Sequence, residues 1–192
     1  MVSLYLTQTH TTIAMTVSAY YSASIFDFVT ADSASIADQL PGERTQWRAK
    51  IALLKQQFNL LPHLAGDVIL SLNHQAQTLD TVVLYRGLVF IVAIELDQRA
   101  YCQQKIDALL QQARWLKRSH NGSASRFIIP LYLAVNAPPQ GSNIVVSEEL
   151  VANTMCDNGA HLAALIEHFA NQYKDDQIIL CDWLASGYTT AE

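Results

Sequence analysis

The stretch that decides the fold reads Leu79-Asp80-Thr81-Val82-Val83-Leu84-Tyr85-Arg86-Gly87-Leu88-Val89-Phe90-Ile91-Val92-Ala93-Ile94-Glu95-Leu96-Asp97. Two apolar, β-branched runs flank the dipeptide Arg86-Gly87. That is the pattern of an antiparallel hairpin closed by a two-residue turn, where glycine accepts a left-handed backbone. Leu88 to Leu96 is apolar at nearly every position, so this arm is expected to be a central strand covered on both faces. Apart from Arg86, the charges sit at the far ends of the arms. Asp80 opens the first and Glu95 closes the second, and antiparallel pairing brings these ends together. Alternation along the strand then puts Asp97 on the same face as Glu95.

Working upstream, Asp67 to Leu72 reads as a strand joined to the hairpin by the polar run from His74 to Thr78. Glu43 to Leu60 reads as an amphipathic helix. Trp47, Ile51, Leu54 and Phe58 recur at helical spacing, while Arg44, Arg48, Lys50 and Lys55 stay on the polar side. Before the break at Pro41-Gly42, Tyr20 to Val29 and Ser33 to Leu40 are each expected as a short helix. Residues 1–18 are Thr-rich and β-branched, and read as a loose arm or an extra edge strand. Downstream, Gln98 to Ser119 is the longest helix candidate, ended by the loop from His120 to Ser125 with Gly122 near a favourable stop. Phe127 to Val135 is a buried strand interrupted by Pro130, and Asn143 to Val146 a short strand. Gly159 to Tyr173 is a helix and Gln177 to Cys181 a last strand. The order predicts one α/β domain over residues 1–192, with a mixed sheet and helices on both faces.

Composition narrows the function classes. With 51% hydrophobic and 15% charged residues the chain has the make-up of a packed domain, not of a disordered one. The net charge of −5, from 12 Lys and Arg against 17 Asp and Glu, gives no overall basic balance. Contact with nucleic acid would have to come from a local patch or a bound metal. Cys102, Cys156 and Cys181 form no CxxC pair and no zinc spacing, so buried free thiols in a reducing cytosol are expected. There is no GxSxG, P-loop or GxGxxG pattern behind a hydrolase, NTPase or dinucleotide reading. The N-terminus lacks a basic leader region, and the longest apolar run, Leu88 to Ile94, is far below the roughly 20 residues that cross a bilayer. A soluble, cytoplasmic protein with no membrane partner is the expectation. His161 and His168 lie two helical turns apart, about 10 Å, too far to share one metal. A protonated His120 would suit the C-terminal dipole of the long helix.

The chemistry therefore rests on Asp80, Glu95 and Asp97. Oxygen ligands of this kind suit Mg or Mn, which bind a few carboxylates together with water and substrate phosphate. Glu95 interrupts an apolar strand, where a charge needs a partner.

Asp80, the hairpin, Ile94-Glu95 and the following helix together resemble the PD-(D/E)xK nuclease superfamily. More narrowly, the chain is similar to the nuclease-like N-terminal region fused to helicase-like ATPases in a bacterial family. The segments that carry this are Leu79 to Gly87, Val89 to Glu95, Ser119 to Ser123 with Ile128 to Pro130, and Trp183 to Tyr188. The resemblance implies a restriction-endonuclease-like core and a metal held by Asp80 and Glu95, with DNA or RNA as substrate. It also implies a lysine two residues after the glutamate. Here that position is Asp97, which reverses the charge where a phosphate must dock. Either the site has lost its chemistry, leaving a module that binds a partner protein or a second copy, or it is rewired. In the rewired case Asp97 is a further metal ligand, and Lys105, or Lys50 or Lys55, supplies the positive charge. The family's helix glutamine would correspond to one of Gln103, Gln104, Gln111 and Gln112. The run from His74 to Thr78 lacks the Pro-Arg of the relatives.

Overall fold

In the computed structural model, residues 18–74 and 77–189 are described. The expected N-terminal arm, apart from Ser18, and part of the polar connection after His74 lie outside them. The first strand, β1 (Ser18–Ser24), covers residues whose sequence suggested a helix. Pairing decides the matter. The small side chains of this strand lie antiparallel along β2 (Asp67–His74), from Ser18 opposite Asn73 to Ser24 opposite Asp67. The helix begins only at α1 (Ile25–Thr30), where Ser24 Oγ accepts the Asp27 amide and caps it. A second short helix, α2 (Ser33–Ala37), is capped by Asp32. The amphipathic helix α3 (Arg44–Phe58) follows, burying Trp47, Ile51, Leu54 and Phe58 as its spacing predicts.

The decisive hairpin forms as expected. Strand β3 (Gln77–Tyr85) turns at Arg86-Gly87 into β4 (Leu88–Glu95), with both turn residues at positive φ, 48° and 79°. Helix α4 (Gln103–Ser119) starts later than its apolar pattern suggests. It carries the chain to β5 (Ile128–Ala134), parallel to β4 with Glu95 opposite Ala134. Pro130 is tolerated inside this strand, opposite Ile91.

The expected strand at Asn143 to Val146 is a single bridge from Val146 to Ala152. The sixth strand is instead β6 (Met155–Asp157), parallel to β5. Helix α5 (Leu162–Tyr173) follows. The run from Gln177 to Cys181 is not a strand: Ile178 plugs the core, and the chain enters α6 (Leu180–Ala185), which buries Trp183. Two adjacent isoleucines suggested β-structure, but these residues pair with no strand.

The sheet runs β1-β2-β3-β4-β5-β6, antiparallel through β4 and parallel beyond. Helices α1, α2, α3 and α5 pack on one face, and α4 and α6 on the other. The fold is thus α/β with a mixed sheet covered on both sides. Among the described residues no helix is long and apolar enough to cross a membrane.

Candidate functional site

One irregularity in the sheet places Asp80. Val82 and Leu84 face the side of α4 and α6, and plain alternation would aim Asp80 the same way. Opposite it in β2 stands Ser71, in a left-handed conformation at φ 53° between Leu70, paired with Thr81, and Leu72, paired with Leu79. The kink shifts the alternation by one, so that Leu79 takes the α4 side. Asp80 is met by α3 instead: Lys50 Nζ stands 3.0 Å from both of its carboxylate oxygens. The ladder between β3 and β4 ends at Thr81 and Val92, and Asp80 Oδ2 accepts the Ile94 amide at 3.3 Å.

These residues line a cleft of about 290 Å³ formed by Gln46 and Lys50 of α3, Asp80, and the end of β4 with its following loop, which brings Glu95, Asp97 and Gln98. Asp80 and Glu95 both line this cleft, Asp80 met by Lys50 of α3 and Glu95 by Lys105 of α4. Burial is the main cause that raises the Asp80 carboxyl above the ordinary aspartate range, Lys50 and the Ile94 amide oppose it, and the nearby Glu95 charge adds to it. Glu95 has its own cation. Lys105, from the first turn of α4, comes within 2.6 Å of Glu95 Oε1, and this hydrogen bond is the main reason its ammonium is held above the usual lysine range. Asp97 lies just past the end of β4 on the exposed rim.

Of the three candidate lysines, packing thus selects two. Lys55 turns instead to the carbonyl of Ala31 at the end of α1. None of the four α4 glutamines lines the cleft: Gln103 bonds Asp107 and Gln112 the Thr78 carbonyl, while Gln104 and Gln111 are exposed. The glutamines that do line it are Gln46 and Gln98. Gln46 could have been found by its place one helical turn before Lys50 on the same face. Among the described residues no three or more His, Cys, Asp and Glu side chains group closely enough to hold a metal ion. Two buried hydroxyls beside the carboxylates, Thr81 Oγ1 and Tyr132 Oη, make no hydrogen bond among the described residues.

The remaining sequence candidates fall elsewhere. His161 bonds Asp157, whose other oxygen accepts the Gly159 and His161 amides before α5, and His168 packs edge-on to Phe169. Cys156 is buried, which pushes its thiol up, but Cys102 is half-buried and Cys181 exposed, contrary to the expectation of three buried thiols.

His120 follows α4 directly, as its C-cap. It is fully buried, with Nδ1 2.8 Å from Ser123 Oγ and Nε2 3.0 Å from the Trp183 carbonyl and 2.8 Å from Ser186 Oγ. A carbonyl only accepts, so Nε2 carries the hydrogen. Ser123 Oγ accepts from the Trp183 indole and donates to Nδ1, which needs no second ring proton. The segments from Ser119 to Ser123 and from Trp183 to Tyr188, far apart in sequence, are pinned together by this network and by the Asn121–Gly187 and Thr189–Ser119 backbone bonds.

Compared with known proteins, the chain matches no family model, no curated sequence and no solved structure.

Proposed function

We propose that this protein is a restriction-endonuclease-like phosphodiesterase of the PD-(D/E)xK kind, acting on DNA or RNA with Mg or Mn at the Asp80–Glu95 cleft, and that Lys50 supplies the positive charge missing at Asp97. The observation that carries the reading is the ammonium of Lys50 3.0 Å from both oxygens of Asp80, in the cleft that Glu95 also lines. Support comes too from the order α3, β2, β3, β4, α4, β5, with three antiparallel strands and a fourth parallel to the last.

The donor chemistry fits a hard divalent cation, which takes one or two carboxylates and completes its shell with water and phosphate. When bound, such an ion makes its water a nucleophile near neutral pH and polarises the phosphate. The residues of the chain do the rest. Asp80 and Glu95 would hold the ion from two adjacent strands, and Lys50 and Lys105 are the cations at hand for the phosphate oxygens. Hydrolysis would form a bond from water oxygen to phosphorus and break one backbone phosphorus–oxygen bond, the leaving sugar oxygen taking up a proton. Asp97 on the rim opposes phosphate entry. At an effective dielectric of ~20 and 4 Å, one such repulsion is about 4 kcal/mol, which the cations must offset.

A second reading is a non-catalytic module that binds a partner protein or a second copy. It is favoured by one observation: Asp80 and Glu95 are each already neutralised by a lysine. Cleavage of single- and double-stranded DNA and RNA with Mn or Mg, beside Glu95→Ala, separates the two. Cleavage lost in the variant supports the phosphodiesterase. A folded wild-type protein that neither cleaves nor gains melting temperature with metal supports the binding module.

A further inference from the structure

The Glu95–Lys105 pair has a neighbour the catalytic reading leaves unused. In β5, Tyr132 lies opposite Ala93, so Glu95, two residues further along β4, is its diagonal neighbour on the same face. Long and aromatic side chains reach each other across that diagonal. Tyr132 is fully buried, its ring set edge-on to Tyr101, and its hydroxyl finds no acceptor among the described residues. The Cys102 amide, at the start of α4, acts on the phenol oxygen as a donor, and the phenol hydrogen has no acceptor among the described residues.

Burial is the main cause that raises the phenol above the ordinary tyrosine range, and the charges of Glu95 and Lys105 come next, acting in opposite directions. A buried hydroxyl with no partner is costly, and few persist without a reason. Here the natural acceptor is within one strand, and it is occupied by a lysine. That lysine is far from fixed: its side chain is 42% exposed and that of Glu95 34%. Solvated pairs of this kind are weak and exchange readily.

We propose that Tyr132 is a positioning residue for Glu95: when a phosphate-bearing ligand draws Lys105 away, the buried phenol donates to the freed carboxylate and keeps it oriented in the cleft. Lys105 closes the site by day-to-day pairing with Glu95, and the phenol is the partner of the open site. The choice of a phosphate as the ligand rests on the phosphodiesterase reading, whereas the exchange of partners does not.

The test uses the full chain at neutral pH, with Tyr132→Phe, Lys105→Met and the two combined. In the wild-type background Tyr132→Phe leaves the melting temperature unchanged or raises it, because an unpartnered hydroxyl is removed. With Lys105→Met it lowers it by roughly 2–4 °C, the worth of about one hydrogen bond in a domain of this size. The carbon bearing the Tyr132 hydroxyl gives a separate readout by 13C NMR. Its resonance moves in Lys105→Met and stays in place when Glu95→Ala is added. Inorganic phosphate titrated into wild type moves the resonance in the same direction. An equal effect of Tyr132→Phe in both backgrounds, with a resonance indifferent to Lys105, overturns the exchange. A resonance that responds to Lys105→Met but ignores phosphate overturns the ligand assignment alone. None of these readouts uses cleavage, so they stand or fall separately from the nuclease activity.

Discussion

Replacing Lys50 by methionine should destabilise the protein through Asp80. The stem of Lys50 lies by the Trp47 ring, its ammonium 4.8 Å from the centroid, and methionine keeps most of that packing while removing the charge. The ammonium and carboxylate are 3.0 Å apart, with side chains 16% and 23% exposed. At an effective dielectric of ~20 their attraction is about 5 kcal/mol before the cost of desolvating both is subtracted. Exposed pairs are worth about 0.2–1 kcal/mol, and breaking buried ones costs about 3–5 kcal/mol. This pair lies between them, so a coupling of about 2 kcal/mol is expected. In a domain of this size that corresponds to a fall in Tm of roughly 4–8 °C.

The pH dependence carries the sign. Burial holds the Asp80 carboxyl above its unfolded value, so the ionised form costs stability at neutral pH. That cost is relieved as pH falls through the folded value towards the unfolded one. Removing Lys50 raises the carboxyl further. The stability gap between Lys50→Met and wild type should therefore be largest near pH 7 and narrow on acidification. Urea unfolding of wild type, Lys50→Met, Asp80→Asn and the double variant, near pH 7 and about pH 5, gives the cycle. The asparagine retains an acceptor for the Ile94 amide. A coupling under about 0.5 kcal/mol, or one indifferent to pH, would show the pair to be solvated and refute the reasoning.

Other expectations follow from the same geometry. Lys105→Met should cost under about 1 kcal/mol in urea unfolding, because its pair with Glu95 is partly solvated, and added salt should shrink the difference. His120→Phe keeps the ring volume but leaves the Ser123 hydroxyl hydrogen without its acceptor and takes one of two side-chain donors from the Trp183 carbonyl; a loss of about 1–3 kcal/mol is expected, read as a lower urea midpoint with an unchanged slope. Gly87→Ala is expected to be worse than a surface glycine change. Its φ is 79° and the added Cβ would lie 2.5 Å from the Asp175 carbonyl oxygen, so Tm should fall by several degrees where Gly42→Ala, with open space around it, falls less.

The elements written in local patterns were readable before folding. Arg86-Gly87 between two β-branched runs fixes its own register, because a two-residue turn leaves the strands only one pairing. The apolar spacing of α3 states which face is buried whatever lies beneath it. From the hairpin alone Asp80 and Glu95 had to meet at one end. What failed locally was decided by neighbours. Ser18 to Ser24 has no strand alternation of its own and is a strand because β2 offers it an edge. The three residues of β6 are too few to show a period and exist through their pairing with β5. Ile178 and Ile179 look like a strand until no partner strand is found for them.

The site shows the same division. The sequence by itself determined which carboxylates converge, since chain reversal at a known turn is geometry over a few residues. It also placed an aspartate at position 97, where the resemblance implies a lysine. For the missing cation the sequence offered Lys105 first, with Lys50 and Lys55 as alternatives. The tertiary structure separated them, sending Lys50 to Asp80, Lys105 to Glu95 and Lys55 to the end of α1. It also turned Asp80 towards α3 through one left-handed serine on the next strand, and joined His120 to Trp183 and Ser186 across some sixty residues of sequence. Side-chain partners at such separations depend on how helices lie across the sheet, and helix placement follows from the packing of whole faces, which no local run of residues encodes.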